Sequence, residues 1–290
     1  GLYLNHLRTA IYQELILAEN ALDVLEPRTQ SVTLESIDFD GDGQEEQILE
    51  NGVLGLYLAP HDGGTLFEMD YKPGAFNLLN TLARREEPYH DNLATEEQEE
   101  NPGHGAHSIH EPFQPKERGL AALLYADPCR RASLRDHFFP EGTTVEAIYR
   151  NQAEELAESP QADYGVVPGD ASLCLETLAP LMKVPDGFLR IRKALRLHSD
   201  ESVIEIAYDI ENESTESLRG VFCPEMVVNF LTGDAEDRYY HSDDRDLKGL
   251  RLGACQTESA LRHLSLRDGW QGLETGFRMG EAVDIHLFPL

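Results

Sequence analysis

The densest chemistry in the chain lies in one short segment, Asp38-Phe39-Asp40-Gly41-Asp42-Gly43-Gln44-Glu45-Glu46. Three aspartates at alternate positions among glycines resemble the opening of a calcium loop. Glycine permits the tight turn, and hard carboxylate oxygens converge on a cation that takes six to eight of them. The segment is not an EF-hand: its twelfth position is Leu49, which cannot coordinate, and strand-like pattern flanks it on both sides. Asp38, Asp40, Asp42, Glu46 and the carbonyl of Gln44 are therefore expected to form a shorter strand-loop-strand site. Calcium bound there would be structural, since it clips two strands and supplies no nucleophile. The competing reading is an acidic Asp-Gly hairpin turn.

Other groups promise less. His104, His107 and His110 recur every third residue in a loop bounded by Pro and Gly, a spacing metals can use, but without fixed support. His110-Glu111 and Asp136-His137 are carboxylate–imidazole neighbours. Adjacent residues on a strand point to opposite faces, so adjacency alone makes no acid/base pair. GxSxG, HExxH, P-loop and GxGxxG patterns are absent, and no catalytic or organic-cofactor residue is assigned. The carboxylates gather in the Asp-rich loop, the run at 96–100 and strand edges, where they stay solvated and ionised. Trp270, the one tryptophan, is expected at a strand start as a core or edge residue rather than a sugar platform. Cys129, Cys174, Cys223 and Cys255 contain no CxxC pair and read as buried small hydrophobes in a reducing cytoplasm.

The scaffold that must position these groups reads as mainly β. Residues 4–25 form one helix, because Leu7, Ile11, Leu15, Ala18, Leu22 and Leu25 make a single apolar stripe that needs a cover. Pro27 ends it. Beyond it the pattern changes to period two, with a strand at 53–59, a turn at His61-Asp62-Gly63-Gly64 and a strand at 65–71. The clearest hairpin sets Leu189, Ile191, Leu195 and Leu197 against Ile204, Ile206, Tyr208 and Ile210 about the turn Ser199-Asp200-Glu201. On its other face Arg190, Arg192 and Arg196 are expected to pair with Glu205 and Asp209. Further strands are expected at 172–184, 218–231, 259–267, 270–279 and 282–288. Many strands joined by Gly- and Asp-rich turns indicate a β-sandwich at 29–290 preceded by a helical segment at 1–28, with a long flexible acidic loop at 91–118.

Charge narrows the partners. With 24 Lys+Arg against 53 Asp+Glu, the formal charge is −29. Such a surface repels phosphate, which argues against nucleic acid and against an anionic membrane face. No apolar run approaches the ~20 residues of a membrane span.

Several segments, in order along the chain, resemble glycoside hydrolase family 57, which includes α-amylases and 4-α-glucanotransferases. They are Gly1-Leu2-Tyr3-Leu4-Asn5-His6-Leu7-Arg8, the stretch from Asp38 to Asn51, Gly63-Gly64-Thr65-Leu66-Phe67-Glu68, Arg84-Arg85-Glu86-Glu87-Pro88-Tyr89-His90, Ser108-Ile109-His110-Glu111, Arg130-Arg131-Ala132-Ser133-Leu134-Arg135-Asp136-His137 and Gly233-Asp234-Ala235-Glu236. The resemblance implies a post-barrel helix and a galactose-mutarotase-like β-sandwich that lacks its last strands, both ends being cut from something longer. It also implies a parent that acts on α-1,4-glucans by retention, with a Glu nucleophile and an Asp acid/base. Both would lie on an N-terminal catalytic barrel upstream of Gly1, so neither is carried onto this chain. The implied partners are that barrel and, for the sandwich, α-glucan. The rival expectations are a free-standing carbohydrate-binding or scaffold module, and a mutarotase-like sugar epimerase built on paired histidines and a carboxylate.

Overall fold

The N-terminal helix forms where its spacing predicts, but it turns its apolar stripe outward. The computed structural model describes residues 4–26, 30–87, 90 and 124–290. Helix α1 spans Asn5–Leu25, and Ile16 is its one buried residue. The inward face is polar and hydrogen-bonded. Asn5 Nδ2 donates to Asn229 Oδ1 (2.8 Å), Arg8 Nε to Asn80 Oδ1 (3.1 Å) and Asn20 Nδ2 to the Lys72 carbonyl (3.0 Å). Lys72 Nζ reaches back to Asp23 (3.2 Å) and to Glu50 (2.8 Å). The expected stripe faces away, with Leu7 43%, Ile11 61%, Leu15 54%, Leu22 60% and Leu25 76% exposed.

The chain divides into two compact units, residues 1–82 with 131–290, and residues 83–130. In the second, the described residues close on an Arg84–Asp127 pair. Arg84 donates from Nη2 (2.7 Å) and Nε (3.1 Å) to Asp127 Oδ1, and from its backbone N to Oδ2 (2.6 Å). The loop expected at 91–118, with His104, His107, His110 and the acidic run at 96–100, lies outside the described residues.

The first unit is built on antiparallel sheets. One runs β1 (Thr33–Ile37), β2 (Glu46–Glu50), β3 (Leu54–Ala59), β4 (Thr65–Tyr71) and β5 (Phe76–Asn77) in sequence order. A short ladder pairs β6 (Arg135–Phe139) with β11 (Val221–Glu225). Another sheet has the order β10 (Ile204–Asn212), β9 (Phe188–Leu197), β8 (Leu173–Pro180), β7 (Gly165–Val166). Leu49, Leu56, Leu58, Leu66, Leu134, Leu175, Ile191 and Leu195 from these sheets meet in one core. The burial of apolar faces between sheets is the arrangement of a β-sandwich.

The β9–β10 register puts Glu205 opposite Arg196 and Asp209 opposite Arg192. The expected ion pairs nevertheless do not form there. Arg192 donates to the Pro168 carbonyl (2.8 Å) and Arg196 to the Asp170 carbonyl (3.2 Å). Both arginines lean toward the loop ahead of β8, whose carbonyls lie outside the ladder, and exposed carboxylates on edge strand β10 gain little from an ion pair. Glu205 faces His198 Nε2 at 3.1 Å, and only Arg190 pairs across, with Glu211 (3.6 Å) and Glu213.

The last sheet has the order β12 (Arg238–His241), β13 (Gln256–Asp268), β14 (Leu273–Leu287). The expected strands at 270–279 and 282–288 merge into β14. Trp270 is neither core nor edge: it stands on the β13–β14 turn, 80% exposed, because Asp268 Oδ1 caps the amides of Trp270 (2.9 Å) and Gln271 (3.0 Å). The cysteine expectation also fails in part, since Cys174 is buried but Cys255 is exposed.

Candidate metal centre

The Asp-rich loop joins β1 to β2, with Ile37 paired to Glu46 at its base. Its own amides organise the carboxylates. Asp38 accepts from Gly41 N (2.9 Å) and Gly43 N (3.2 Å), Asp40 from Asp42 N (3.2 Å), and Asp42 from Gln44 N (2.8 Å). Asp38, Asp40 and Asp42 are exposed, with carboxylate oxygens within 4.8 Å of one another. Phe39 anchors the loop by packing its ring, tilted by 47°, against that of Tyr57 with centroids 4.9 Å apart.

Glu46 is placed differently. It is 1% exposed, and Oε2 accepts from Phe39 N (2.8 Å). Its other oxygen, Oε1, is buried without a hydrogen-bond partner and lies 3.6 Å from His61 Nδ1, which also has none. His61 Nε2 lies 3.5 Å from Asp42 Oδ2. Asp42, Glu46 and His61 thus form a second triad of donor atoms, again within 4.8 Å of one another. The expected set is divided between two groups that share Asp42, and Gln44 enters through its amide. His61 was legible in the sequence only as part of a turn, because the register that brings β3 beside β2 is a tertiary fact.

Gly63 and Gly64 in that turn hold φ +73° and +56°. A Cβ on Gly63 would collide with the Pro160 carbonyl, and one on Gly64 with the Tyr164 ring. Their carbonyls are used. Lys193 Nζ donates to Gly63 O (2.7 Å), Gly64 O (3.1 Å) and Leu134 O (2.7 Å), and pairs with Asp136 Oδ2 (2.9 Å). Tyr164 OH also donates to Asp136 Oδ2, at 2.6 Å. Burial pulls the Lys193 ammonium down to about 8, against the opposing pull of Asp136.

Asp136 and His137 do face opposite ways. His137 Nδ1 contacts Glu155 Oε1 (2.6 Å), and Nε2 lies 3.6 Å from Glu225 Oε2, which Arg131 also binds (2.6 Å). Burial opposes the charge on this imidazole, but its bonds to Glu155 and Glu225 outweigh burial and lift it to about 9. A ring held cationic between carboxylates is a brace, unsuited to taking a proton near neutrality.

Two further groups test the expectation of no catalytic pair. Asp70 on β4 is not a solvated carboxylate: burial, then Glu68 and Glu19, raise it to about 9. That protonation suits a general acid, but at 2% exposure no sugar reaches it. His241 and His263 stand with ring centroids 6.1 Å apart, and Asp243 is 3.4 Å from each. Asp243 is tied to Arg278 (2.9 Å), and His263 Nδ1 accepts from the Asp243 amide (2.9 Å). One nitrogen of the pair is thereby committed to the backbone, which disfavours an epimerase built on it.

The family model described as alpha-amylase/4-alpha-glucanotransferase, C-terminal, matches residues 38–290. Alpha-amylase 1 of Dictyoglomus thermophilum is 35% identical over 245 residues, 84% of this chain and 34% of that protein. The 4-alpha-glucanotransferase of Thermococcus kodakarensis is 31% identical over 236 residues, 81% of this chain and 34% of that protein. The chain therefore spans about a third of the length of these relatives. The crystal structure of 4-alpha-glucanotransferase from Thermococcus litoralis superposes with a TM-score of 0.72 at 21% identity, covering 100% of this chain and 39% of that one.

Proposed function

Since this chain belongs to the alpha-amylase/4-alpha-glucanotransferase C-terminal family, we propose that it is the non-catalytic part of an enzyme acting on α-1,4-glucans, and that it braces a catalytic barrel. The outward apolar stripe of α1 carries this reading. Leu7, Ile11, Leu15, Leu22 and Leu25 lie 43–76% exposed while polar residues of the same helix are tied down inside. An isolated helix–sheet unit gains by burying such a stripe, and each side chain left in water forgoes roughly 1.5–3 kcal/mol. A large second body of the same parent chain would cover it, and the region matched by this chain is only 34% of each of these relatives. The experiment is hydrogen exchange on this chain alone and on this chain joined to the region that precedes it in the parent. Amides of α1 become slow only in the joined protein. Equal protection in both ends the proposal.

A second reading, direct contact with glucan, is favoured by Trp270. An indole 80% exposed on a turn capped by Asp268 presents a flat face beside polar groups, as sugar platforms do. Affinity electrophoresis through amylopectin should retard the wild-type chain, and Trp270→Ala should migrate as it does without polysaccharide. Equal mobility of the two in amylopectin would remove this reading and leave bracing alone.

A further inference from the structure

We propose that Asp42, Glu46 and His61 hold one divalent cation of the zinc and manganese class, joining the β1–β2 loop to the β3–β4 turn. The inference is independent of any action on glucan. Its first support is a pair of orphans. Glu46 is 1% exposed, and its Oε1 has no hydrogen-bond partner; His61 Nδ1, also buried, has none. Native interiors rarely leave such atoms unsatisfied without an ion or a ligand nearby. The two stand 3.6 Å apart, too far for a good hydrogen bond. Ligands at about 2.0–2.2 Å from a cation stand roughly 3–3.6 Å from one another, so the separation suits two ligands of one ion.

Asp42 completes the set: its Oδ2 stands 3.5 Å from His61 Nε2, and with one imidazole nitrogen serving as ligand the three donor atoms lie within 4.8 Å of one another. Two carboxylates and one neutral imidazole balance a 2+ charge, and the −29 surface concentrates cations around it. Donor type selects the metal. Calcium takes oxygen ligands, whereas an imidazole nitrogen suits zinc and other first-row ions. Asp38 and Asp40 are exposed like Asp42, but of the three only Asp42 also belongs to the group that contains Glu46 and His61, so Asp38 and Asp40 are not first-choice ligands. The ion would pin the turn whose Gly63 and Gly64 carbonyls receive Lys193, which makes its role structural.

The test uses the whole chain stripped with chelator, titrated calorimetrically with Zn2+, Mn2+ and Ca2+ and followed by the visible absorption of Co2+. His61→Gln and Asp42→Asn are at partly exposed positions and should fold, as thermal melting will check; Asp40→Ala is the control. Expected is one Zn2+ or Co2+ per chain, weakened about a hundredfold by His61→Gln, with loss of the Co2+ band, and by at least about tenfold in Asp42→Asn. Asp40→Ala should change affinity less than about threefold. Three results would overturn the proposal. One is no stoichiometric binding. Another is Zn2+ binding indifferent to His61→Gln. The third is a preference for Ca2+ that Asp40→Ala abolishes, which assigns the ion to Asp38, Asp40 and Asp42 instead.

Discussion

Lys193 Nζ stands 2.9 Å from Asp136 Oδ2, and both side chains are 0% exposed. Lys193 lies on the inward face of β9, between Ile191 and Leu195, while Asp136 comes from β6 and, of the three carbonyls that share the ammonium, those of Gly63 and Gly64 come from the β3–β4 turn and that of Leu134 directly precedes β6. One charged group therefore ties three sheets together, with the Tyr164 ring 4.3 Å from the nitrogen. Desolvation makes such a pair costly to form, but breaking it costs more, because the survivor is left charged and alone.

Lys193→Met should accordingly destabilise the chain by about 3–5 kcal/mol in urea unfolding. The double variant Lys193→Met, Asp136→Leu should recover part of that loss, since no buried charge remains. A single variant within about 1 kcal/mol of wild type would show that the pair does not hold the sheets.

His137 predicts a pH dependence. An unfolded imidazole titrates near 6.5, and in the folded chain this one is raised to about 9. Below pH 6.5 both states bind the proton and the stabilisation is complete. Between 6.5 and about 9 only the folded state keeps it, so stability falls as pH rises, and above that range the contribution is gone. The slope approaches about 1.4 kcal/mol per pH unit, for a total of about 3 kcal/mol. His137→Gln should be less stable at pH 6 and converge on wild type by pH 9.5. Parallel stability curves for the two proteins across that range would refute the assignment.

The stripe on α1 predicts association. At tens of micromolar the isolated chain should sediment as a mixture of monomer and oligomers, and Ile11→Glu with Leu15→Glu should sediment as monomer alone. Because both positions are exposed, 61% and 54%, the substitutions should change unfolding free energy by no more than about 0.5 kcal/mol each. A wild-type chain that is already monomeric at these concentrations would speak against a surface awaiting a cover.

The chain alone should release no reducing ends from amylose and leave maltooligosaccharide lengths unchanged. A retaining glycosidase needs two carboxyl groups about 5–5.5 Å apart beside an accessible sugar site. Asp70, the described carboxyl raised furthest toward general-acid behaviour, is sealed beneath the surface. Activity that survives purification and vanishes on mutating a carboxylate of this chain would overturn the non-catalytic reading.

Local pattern alone determined much of this protein. The steps of three and four along residues 4–25 specify a helix, and period-two alternation specifies β3, β4 and the β9–β10 hairpin, because both signals are written in neighbouring residues. The ordered motifs also carry the resemblance to the family to which the chain belongs. What needed the tertiary structure was the direction each element faces and the company it keeps. Periodicity says that α1 has an apolar side; it does not say that the opposite, polar side finds Asn80, Asn229 and Lys72 to bind. Nor does it tell Arg192 to prefer a carbonyl near β8 over a carboxylate on β10. The two triads at the Asp-rich loop, the proton held on His137 and the buried Lys193–Asp136 pair all join residues far apart in sequence, and packing alone sets their distances and desolvation. Lys193 left one trace, a lysine at an inward position among Leu189, Ile191, Leu195 and Leu197. Such a residue is stable there only when a distant partner meets it, and that partner is what a strand pattern cannot contain.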